Sequence, residues 1–267
     1  YKMKRAFLLI ALIVFSLCCK WDKRERIAHS YSEIAETVNN LKTTWKARAY
    51  DENFKPSLGS IIEGLDRLPE KQFKQTNADL PDNYDLRTAY PKCGSIQEVR
   101  DEANCGGAWA FAAVEAMSDR VCIASNQADQ RRISALNLIS CCSSCGFGCN
   151  GGYAANAWKY WKSTGITTGG EYGDKNSCQP YFLPPCDHNG AGSYGACPET
   201  VDAPKCVENC NDGNQANYAY DIIKGSSVYS ISGEKNIMQD IYDNGSVEAS
   251  FTVYEDFVTY SNGIYQS

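Results

Sequence analysis

Residues 99–111 read V-R-D-E-A-N-C-G-G-A-W-A-F, a glycine-rich turn that leads directly into an apolar helix. The helix is predicted over 109–121, with one buried face formed by Phe111, Val114, Met117 and Val121. N–H groups at the start of a helix favour negative charge and lower the pKa of a thiol placed there. A cysteine nucleophile is expected at this point, and the residue found is Ala108.

Composition excludes several classes of protein. The chain has 267 residues, a formal net charge of −6, and 43% hydrophobic residues, which are enough to bury a core. The acidic balance argues against binding to phosphate backbones, so no nucleic-acid partner is expected. Fourteen cysteines favour an oxidising compartment. The alternative is a cluster of metal thiolates, which two histidines and irregular cysteine spacing disfavour. Neither a metal nor another cofactor is expected.

The N-terminus is typical of a signal peptide. Lys4 and Arg5 precede an apolar run over 6–19, which is too short to cross a bilayer, and cleavage is expected near 18–21. A buried core helix is the alternative interpretation. No later stretch is apolar enough for a membrane span. With two cysteines in the signal, twelve remain, which allows six disulfides.

The amino-acid composition changes at residue 80 and divides the chain there. Residues 21–79 lack cysteine, and one amphipathic helix is predicted there from Ile27, Ile34, Val38, Leu41 and Trp45. This segment cannot form a core alone, so it is interpreted as a pro-segment or a partner-binding arm. After residue 80, Ser134 is expected to cap a helix through Cys141, and a further helix over Ala154–Lys162 stops before Gly165. Alternation at Val228, Ser230 and Ser232 and the run 247–253 predict strands.

The chain resembles the cathepsin B branch of the papain family of cysteine peptidases. That family carries Gln-Gly-Ser-Cys-Gly-Ser-Cys-Trp-Ala-Phe where this chain has Glu-Ala-Asn-Cys-Gly-Gly-Ala-Trp-Ala-Phe at 102–111. Further matches are Leu80-Pro81, Cys149-Asn150-Gly151-Gly152-Tyr153, Cys178-Gln179-Pro180-Tyr181, Pro184-Pro185-Cys186 and Val247-Glu248. The resemblance covers essentially all of 22–267.

The resemblance implies an α+β, papain-like fold with two lobes, a helical one and a β-rich one. It assigns 1–20 to the signal peptide, 21–79 to a helical pro-segment along the cleft, 80–225 to the helical lobe and 226–267 to the start of a truncated β-rich lobe. It also implies six disulfides, pairing Cys93 with Cys122, Cys105 with Cys149, Cys141 with Cys206, Cys142 with Cys145, Cys178 with Cys210 and Cys186 with Cys197.

Three departures from the family bear on activity. Ala108 occupies the nucleophile position, and a methyl group cannot form the acyl-enzyme. Glu102 replaces the glutamine whose amide helps to form the oxyanion hole, and an ionised carboxylate there would repel the oxyanion. The family's catalytic His and Asn would lie beyond Ser267, and truncation of a partial clone is the expected reason. A sequencing error at Ala108 is the alternative for that position. Neither His29 nor His188 is placed to replace the missing histidine.

Peptide-binding residues are nevertheless retained. The resemblance implies that Trp109, Asn150, Gly151 and Gly152 line the edge that holds an extended peptide, although Asn150–Gly152 alone also fits a tight turn. The segment between Cys186 and Cys197 looks like an occluding loop, in which His188 keeps one of two carboxylate-binding histidines and Asn189 replaces the other. A solvated loop histidine is the alternative for His188. Asp101 matches the acidic residue that pins this loop.

Two functional hypotheses follow. The first is an inactive, secreted or endolysosomal zymogen homologue (the gut lumen is one such compartment) that binds peptides or sequesters cystatin-type inhibitors. The second is an active cathepsin B-like peptidase whose sequence here is faulty or partial. An inactive copy would need another protease to remove its pro-segment. Asn244-Gly245-Ser246 is a glycosylation sequon, and its modification stays open.

Overall fold

The computed structural model describes residues 29–50, 58–61, 67–73, 80–188, 192–199, 201–211 and 217–266. The expected signal peptide, Ile27 and Asn189 lie outside these residues. The chain forms two compact units, one from 1–53 with 253–267 and one from 54–252. Among the helices in these ranges, none is long and apolar enough to cross a membrane.

The first unit joins the N-terminal helix to the end of the chain. Helix α1 (Tyr31–Asn40) begins at a capping box, in which Ser30 Oγ accepts the Glu33 N–H and the Glu33 carboxylate accepts the Ser30 N–H. Strand β1 (Trp45–Ala47) pairs antiparallel with strand β2 (Tyr260–Gly263). The α1 side chains Ile34, Ala35 and Val38 are buried in one cluster with Trp45 and Ala47.

The predicted amphipathic helix is therefore too long at its C-terminal end. Leu41 is the C-cap residue in extended conformation and its side chain is 57% exposed, whereas Trp45 lies in β1 and is 2% exposed. Trp45 packs on Tyr265 with ring centroids 5.0 Å apart, and its indole N–H donates to the Gln266 carbonyl. The helical spacing of Trp45 is coincidental, because residues 221 positions away supply its partners.

The second unit is built around helix α3 (Ala108–Ala124), which follows a short helix α2 (Leu86–Ala89) and a 3₁₀ turn at Gly94–Gln97. The α3 side chains of Phe111, Val114 and Met117 are buried as predicted, while Val121 is only partly buried. Trp109, which the predicted face does not include, is buried as well. Helices α4 (Ala135–Cys141) and α5 (Ala154–Ser163) pack against α3. Ser134 caps α4 by accepting the Asn137 N–H, which confirms the predicted cap.

Six disulfides hold this unit together. They join the pairs Cys93–Cys122, Cys105–Cys149, Cys141–Cys206, Cys142–Cys145, Cys178–Cys210 and Cys186–Cys197, the same pairs that the resemblance implies. Every cysteine among the described residues is thus in a disulfide. Cross-links of this kind stabilise a fold by about 2–4 kcal/mol each, chiefly by restricting the unfolded chain.

The strand prediction after residue 226 is wrong in two places. Ser230 makes a single β-bridge rather than belonging to a strand. A short helix α6 (Tyr218–Asp221) precedes this residue, and helix α7 (Glu234–Asn244) follows it. Residues 247–253 form no strand in the structure. The remaining regular elements are a 3₁₀ turn (Glu255–Thr259) and β2. Ile237 and Ile241, four residues apart and followed by Gly245, are the helix signal that the alternation analysis missed.

Candidate active site

The turn before α3 is held rigidly against residues 149–151. Cys105 is fully buried and bonded to Cys149, the Gly106 N–H donates to the Cys149 carbonyl at 2.8 Å, and the Gly151 N–H donates to the Gly106 carbonyl at 3.2 Å. The Asp101 carboxylate accepts the Ala103 N–H at 2.7 Å, which supports the left-handed backbone of Ala103. The first residue of α3 therefore has a well-defined position.

Ala108 is that first residue, and it is partly exposed at the N-terminus of a 17-residue helix. The helix N-terminus is the electrostatic environment that would stabilise a thiolate or an oxyanion. The side chain present is a methyl group, which has no lone pair and no ionisable proton. The position is thus built as the sequence predicts, but the group found there cannot act as a nucleophile.

Glu102 lies beside this position with its carboxyl group largely buried. Burial raises its pKa to about 7, the Gly107 N–H lowers it by less, and the charges of Asp101 and Glu115 raise it further. Its Oε2 atom has no hydrogen-bond partner among the described residues. The resemblance predicts an ionised carboxylate at this position; with a pKa of about 7, the Glu102 carboxyl group is instead largely neutral at acidic pH. In that state it does not repel a developing oxyanion by charge.

The Asn150–Gly152 segment has the geometry of a tight turn and also that of an edge that can hold an extended strand, the two interpretations made from the sequence. Gly151 adopts a φ of +94°, and a Cβ on Gly152 would lie 2.5 Å from the Trp109 indole ring. Trp109 itself is buried and donates its indole N–H to the Gly148 carbonyl at 3.1 Å. Glycine is required here for packing and backbone conformation, and it also leaves the Gly152 backbone open to a neighbouring strand.

The segment Leu58–Ile61 occupies that edge, and we call it the cleft segment. The Gly152 N–H donates to the Gly59 carbonyl at 3.0 Å, and the Ile61 N–H donates to the Gly152 carbonyl at 2.9 Å, forming a parallel bridge centred on Ser60. A Cβ on Gly59 would lie 2.8 Å from the Ala108 Cβ. The cleft segment therefore passes directly over the position where the nucleophile would be.

A second contact of the same arm lies at Ser230. Residues Leu68–Lys71, the anchor segment, form a parallel bridge there, and Lys71 Nζ reaches Asp240 Oδ1 at 2.5 Å. Asp240 is fully buried and also pairs with Arg120 at 2.7 Å. The sequence does not indicate this cluster of Lys71, Asp240 and Arg120, because only the fold brings the three residues together.

The loop closed by Cys186 and Cys197 has a bridge between Asp187 and Ala196, and His188 is exposed on it. Its neighbour in the turn before α3 is Asn104, which donates to the Pro198 carbonyl at 2.5 Å. Cys186, His188 and Cys197 place potential ligand atoms within 4.8 Å of one another. Because the two sulfur atoms share a disulfide, neither is a thiolate, so this set does not fit a metal ion.

The sequon residue Asn244 is partly buried at the end of α7. Its amide donates to Asp240 Oδ1 at 2.9 Å, and Ser246 Oγ donates to the Asp119 carboxylate at 2.5 Å. Glu248, matched in the sequence without an assigned role, accepts the Trp158 indole N–H at 2.6 Å, and burial raises its pKa to about 7. Both residues support the local structure.

Comparison with known proteins is consistent with this geometry. Residues 80–267 match the family described as papain family cysteine protease. The chain is 37% identical to cathepsin B-like cysteine proteinase 6 of Caenorhabditis elegans, over 98% of this chain and 78% of that protein. It is 44% identical to the cathepsin B-like cysteine proteinase of Schistosoma japonicum, over 75% of this chain, and spans 59% of that relative. The solved structure of procathepsin B S9 from Trypanosoma congolense matches with a TM-score of 0.69 at 31% identity, over 87% of this chain and 76% of that one. The chain therefore has a papain-like fold and belongs to the papain family of cysteine proteases, in its cathepsin B-like branch.

Proposed function

We propose that this chain is a non-catalytic member of its family, which binds extended peptides or inhibitor segments at the Gly152 edge without hydrolysing them. The observation that carries the proposal is Ala108 at the helix N-terminus, where the acyl-enzyme would form. Every described cysteine is in a disulfide, so no neighbouring thiol substitutes for it. The backbone of Gly152, by contrast, makes two hydrogen bonds to an extended strand.

The arm before residue 80 acts in this proposal as a pro-segment that covers the edge. Support comes from the contacts of Gly59 with Gly152 and Ala108, and from the family match, which begins at residue 80. External ligands then compete with this segment, so binding requires its displacement or removal by another protease. The six disulfides support an oxidising compartment for the protein in this proposal, either secreted or lysosomal. Cystatin-type inhibitors are one class of ligand in this proposal.

The competing hypothesis is an active peptidase, which the names of the two curated relatives favour. Purified protein should show no turnover of a dipeptidyl amide and no labelling by a thiol-reactive peptide epoxide. The Ala108→Cys variant should be labelled once the arm is removed, whereas the matched Ala108→Ser control should not. Turnover or labelling of the unmodified chain would overturn the proposal.

Binding needs its own measurement. Calorimetry with the arm removed should detect an extended peptide or a cystatin-type inhibitor that stays intact throughout. Gly152→Ala should weaken this binding, since its Cβ would clash with Trp109 and displace the edge. Gly94→Ala is the control, because nothing lies within 4 Å of its added Cβ. Absence of any binding by the folded, arm-free protein would also contradict the proposal.

A further inference from the structure

The anchor segment Leu68–Lys71 docks on Ser230 through its backbone. The Lys71 N–H donates to the Ser230 carbonyl at 2.9 Å, the Ser230 N–H donates to the Pro69 carbonyl at 3.0 Å, and Ser230 Oγ donates to the Leu68 carbonyl at 3.1 Å. Ser232 Oγ contacts the Glu70 carboxylate. These contacts would accept many extended sequences, since backbone atoms make most of them.

The Lys71 side chain adds recognition of a particular residue. Its ammonium group lies 2.5 Å from Asp240 Oδ1, 3.5 Å from the Tyr229 hydroxyl, and 4.6 Å from the centre of the Tyr229 ring. Phe73 contributes a second ring, at 5.0 Å. Phe73 lies on the arm itself, so the receiving site supplies the Asp240 oxygen and the Tyr229 ring, a pair suited to a primary ammonium group on a long, flexible stem.

Asp240 is positioned for this role by groups that all follow residue 80 and do not belong to the arm. It is fully buried, and its oxygens accept from Arg120 at 2.7 Å, from the Tyr229 hydroxyl at 3.0 Å and from Asn244 at 2.9 Å. Burial by itself would raise the pKa of Asp240, but hydrogen bonds from Arg120 and Lys71 outweigh that effect and lower it. Arg120, Tyr229 and Asn244 do not belong to the arm, so Asp240 keeps these three partners when Lys71 leaves.

The cleft segment and the anchor segment are joined by a short stretch of chain. Six residues separate Ile61 in the cleft segment from Leu68 in the anchor segment. A segment held at one point by so short a linker sees its second site at an effective concentration in the millimolar range, roughly. Loss of the anchor therefore weakens occupancy of the Gly152 edge, although the two sites share no atom.

We propose that Asp240, Tyr229 and Ser230 form a lysine-recognising site that holds Leu68–Lys71 and thereby keeps the cleft segment over Ala108. By holding the arm, the site keeps the Gly152 edge covered, an arrangement that we call the lock. That this excludes external peptides from the edge rests on the proposed function. The partner is this chain's own arm, recognised by an extended backbone and one lysine ammonium group.

Amide hydrogen exchange in the full chain tests the lock without any external ligand. Lys71→Gln removes the charge while Arg120 still neutralises Asp240, so we expect the chain after residue 80 to stay folded. Exchange of the Ile61 N–H, which lies at the other docking point, should accelerate by about ten- to a hundredfold, as expected for the loss of a charged hydrogen bond. Lys71→Arg should restore slow exchange in part, and Lys46→Gln is the control, since Lys46 is an exposed lysine of the same arm.

Unchanged exchange at Ile61 in Lys71→Gln would overturn the lock, as would an equal acceleration in Lys46→Gln. A peptide ligand, if the proposed function holds, should bind the Lys71→Gln full chain more tightly than the unmodified chain by the same factor. Faster exchange with no ligand bound to either protein would support the lock and count against the proposed function. The two proposals thus fail separately.

Discussion

Replacing Gly59 by alanine places one methyl group between the cleft segment and the start of α3. The new Cβ would lie 2.6 Å from the Ala108 backbone nitrogen and 2.8 Å from the Ala108 Cβ. Neither atom can rotate away, since both belong to the first turn of a helix anchored by the Cys105–Cys149 disulfide. The cleft segment must therefore move.

The cost follows from the two hydrogen bonds at Gly152. Carbon atoms in contact normally lie about 3.5–4.0 Å apart, so the segment has to shift by about 1 Å. The bonds from Gly152 N–H to Gly59 and from Ile61 N–H to Gly152, at 3.0 and 2.9 Å, cannot both survive that shift. Each contributes about 0.5–1.5 kcal/mol, so opening becomes easier by about 1–3 kcal/mol. That range corresponds to an opening equilibrium shifted by roughly 5- to 150-fold.

Hydrogen exchange at the Gly152 and Ile61 amides measures this equilibrium directly. Gly59→Ala should accelerate both amides by the stated factor while leaving amides in the middle of α3 protected. Gly94→Ala is the matched control, because its added methyl group meets nothing. Protection at Gly152 that is equal in the two variants would refute the close approach of Gly59 to Ala108.

Three further predictions concern single side chains. Glu102→Gln should flatten the pH dependence of stability. The pKa of Glu102 in the folded chain, about 7, exceeds the ordinary 4.5, so the folded chain loses stability as pH rises from 4.5 to 7, by up to about 3 kcal/mol at neutral pH. The free energies of unfolding from denaturant titrations at pH 5 and pH 8 should therefore differ less in the variant than in the unmodified chain. Ser134→Ala should lower the free energy of unfolding by about 2 kcal/mol, since this fully buried hydroxyl caps α4 and donates to the Gln179 carbonyl at 2.6 Å. The variant Ser30→Ala, at a cap that is only partly buried, should cost less, about 0.5–1 kcal/mol, and an equal loss in both would contradict the role of burial. Trp45→Phe should destabilise the first unit by about 1–2 kcal/mol through loss of the hydrogen bond to Gln266, seen as earlier melting of that unit, and a melting temperature like that of the unmodified chain would rule this out.

The local elements that the sequence predicts well are those whose signals are short-range. The apolar spacing of α3, the Ser134 cap of α4 and the end of α5 before Gly165 all depend on residues within four positions of one another. The predictions around Trp45 and 247–253 are wrong because tertiary partners decide the conformation there. Trp45 pairs with Gly263 and packs on Tyr265, and among the residues that the structure describes no strand pairs with 247–253.

Some properties of the candidate site can likewise be predicted from the sequence, and others depend on tertiary contacts. The identities of Ala108 and Glu102 and the glycines at 151 and 152 are visible in the sequence, because a motif of fixed spacing surrounds them. The charge of Glu102 is not visible, since its raised pKa comes from burial. The occupant of the Gly152 edge is not visible either, because the contact between Gly59 and Ala108 links residues 49 positions apart.

The family, the alanine at position 108 and the number of cysteines available for disulfides can be read from the sequence, since each is a matter of residue identity at a recognisable spacing. Three features depend on the tertiary structure: Gly59 covers Ala108, Asp240 forms ion pairs with both Arg120 and Lys71, and burial raises the pKa of Glu102 to about 7. The physical reason is that bonding geometry and side-chain chemistry are local properties, whereas close approach, burial and charge pairing depend on which distant segments the folded chain brings together.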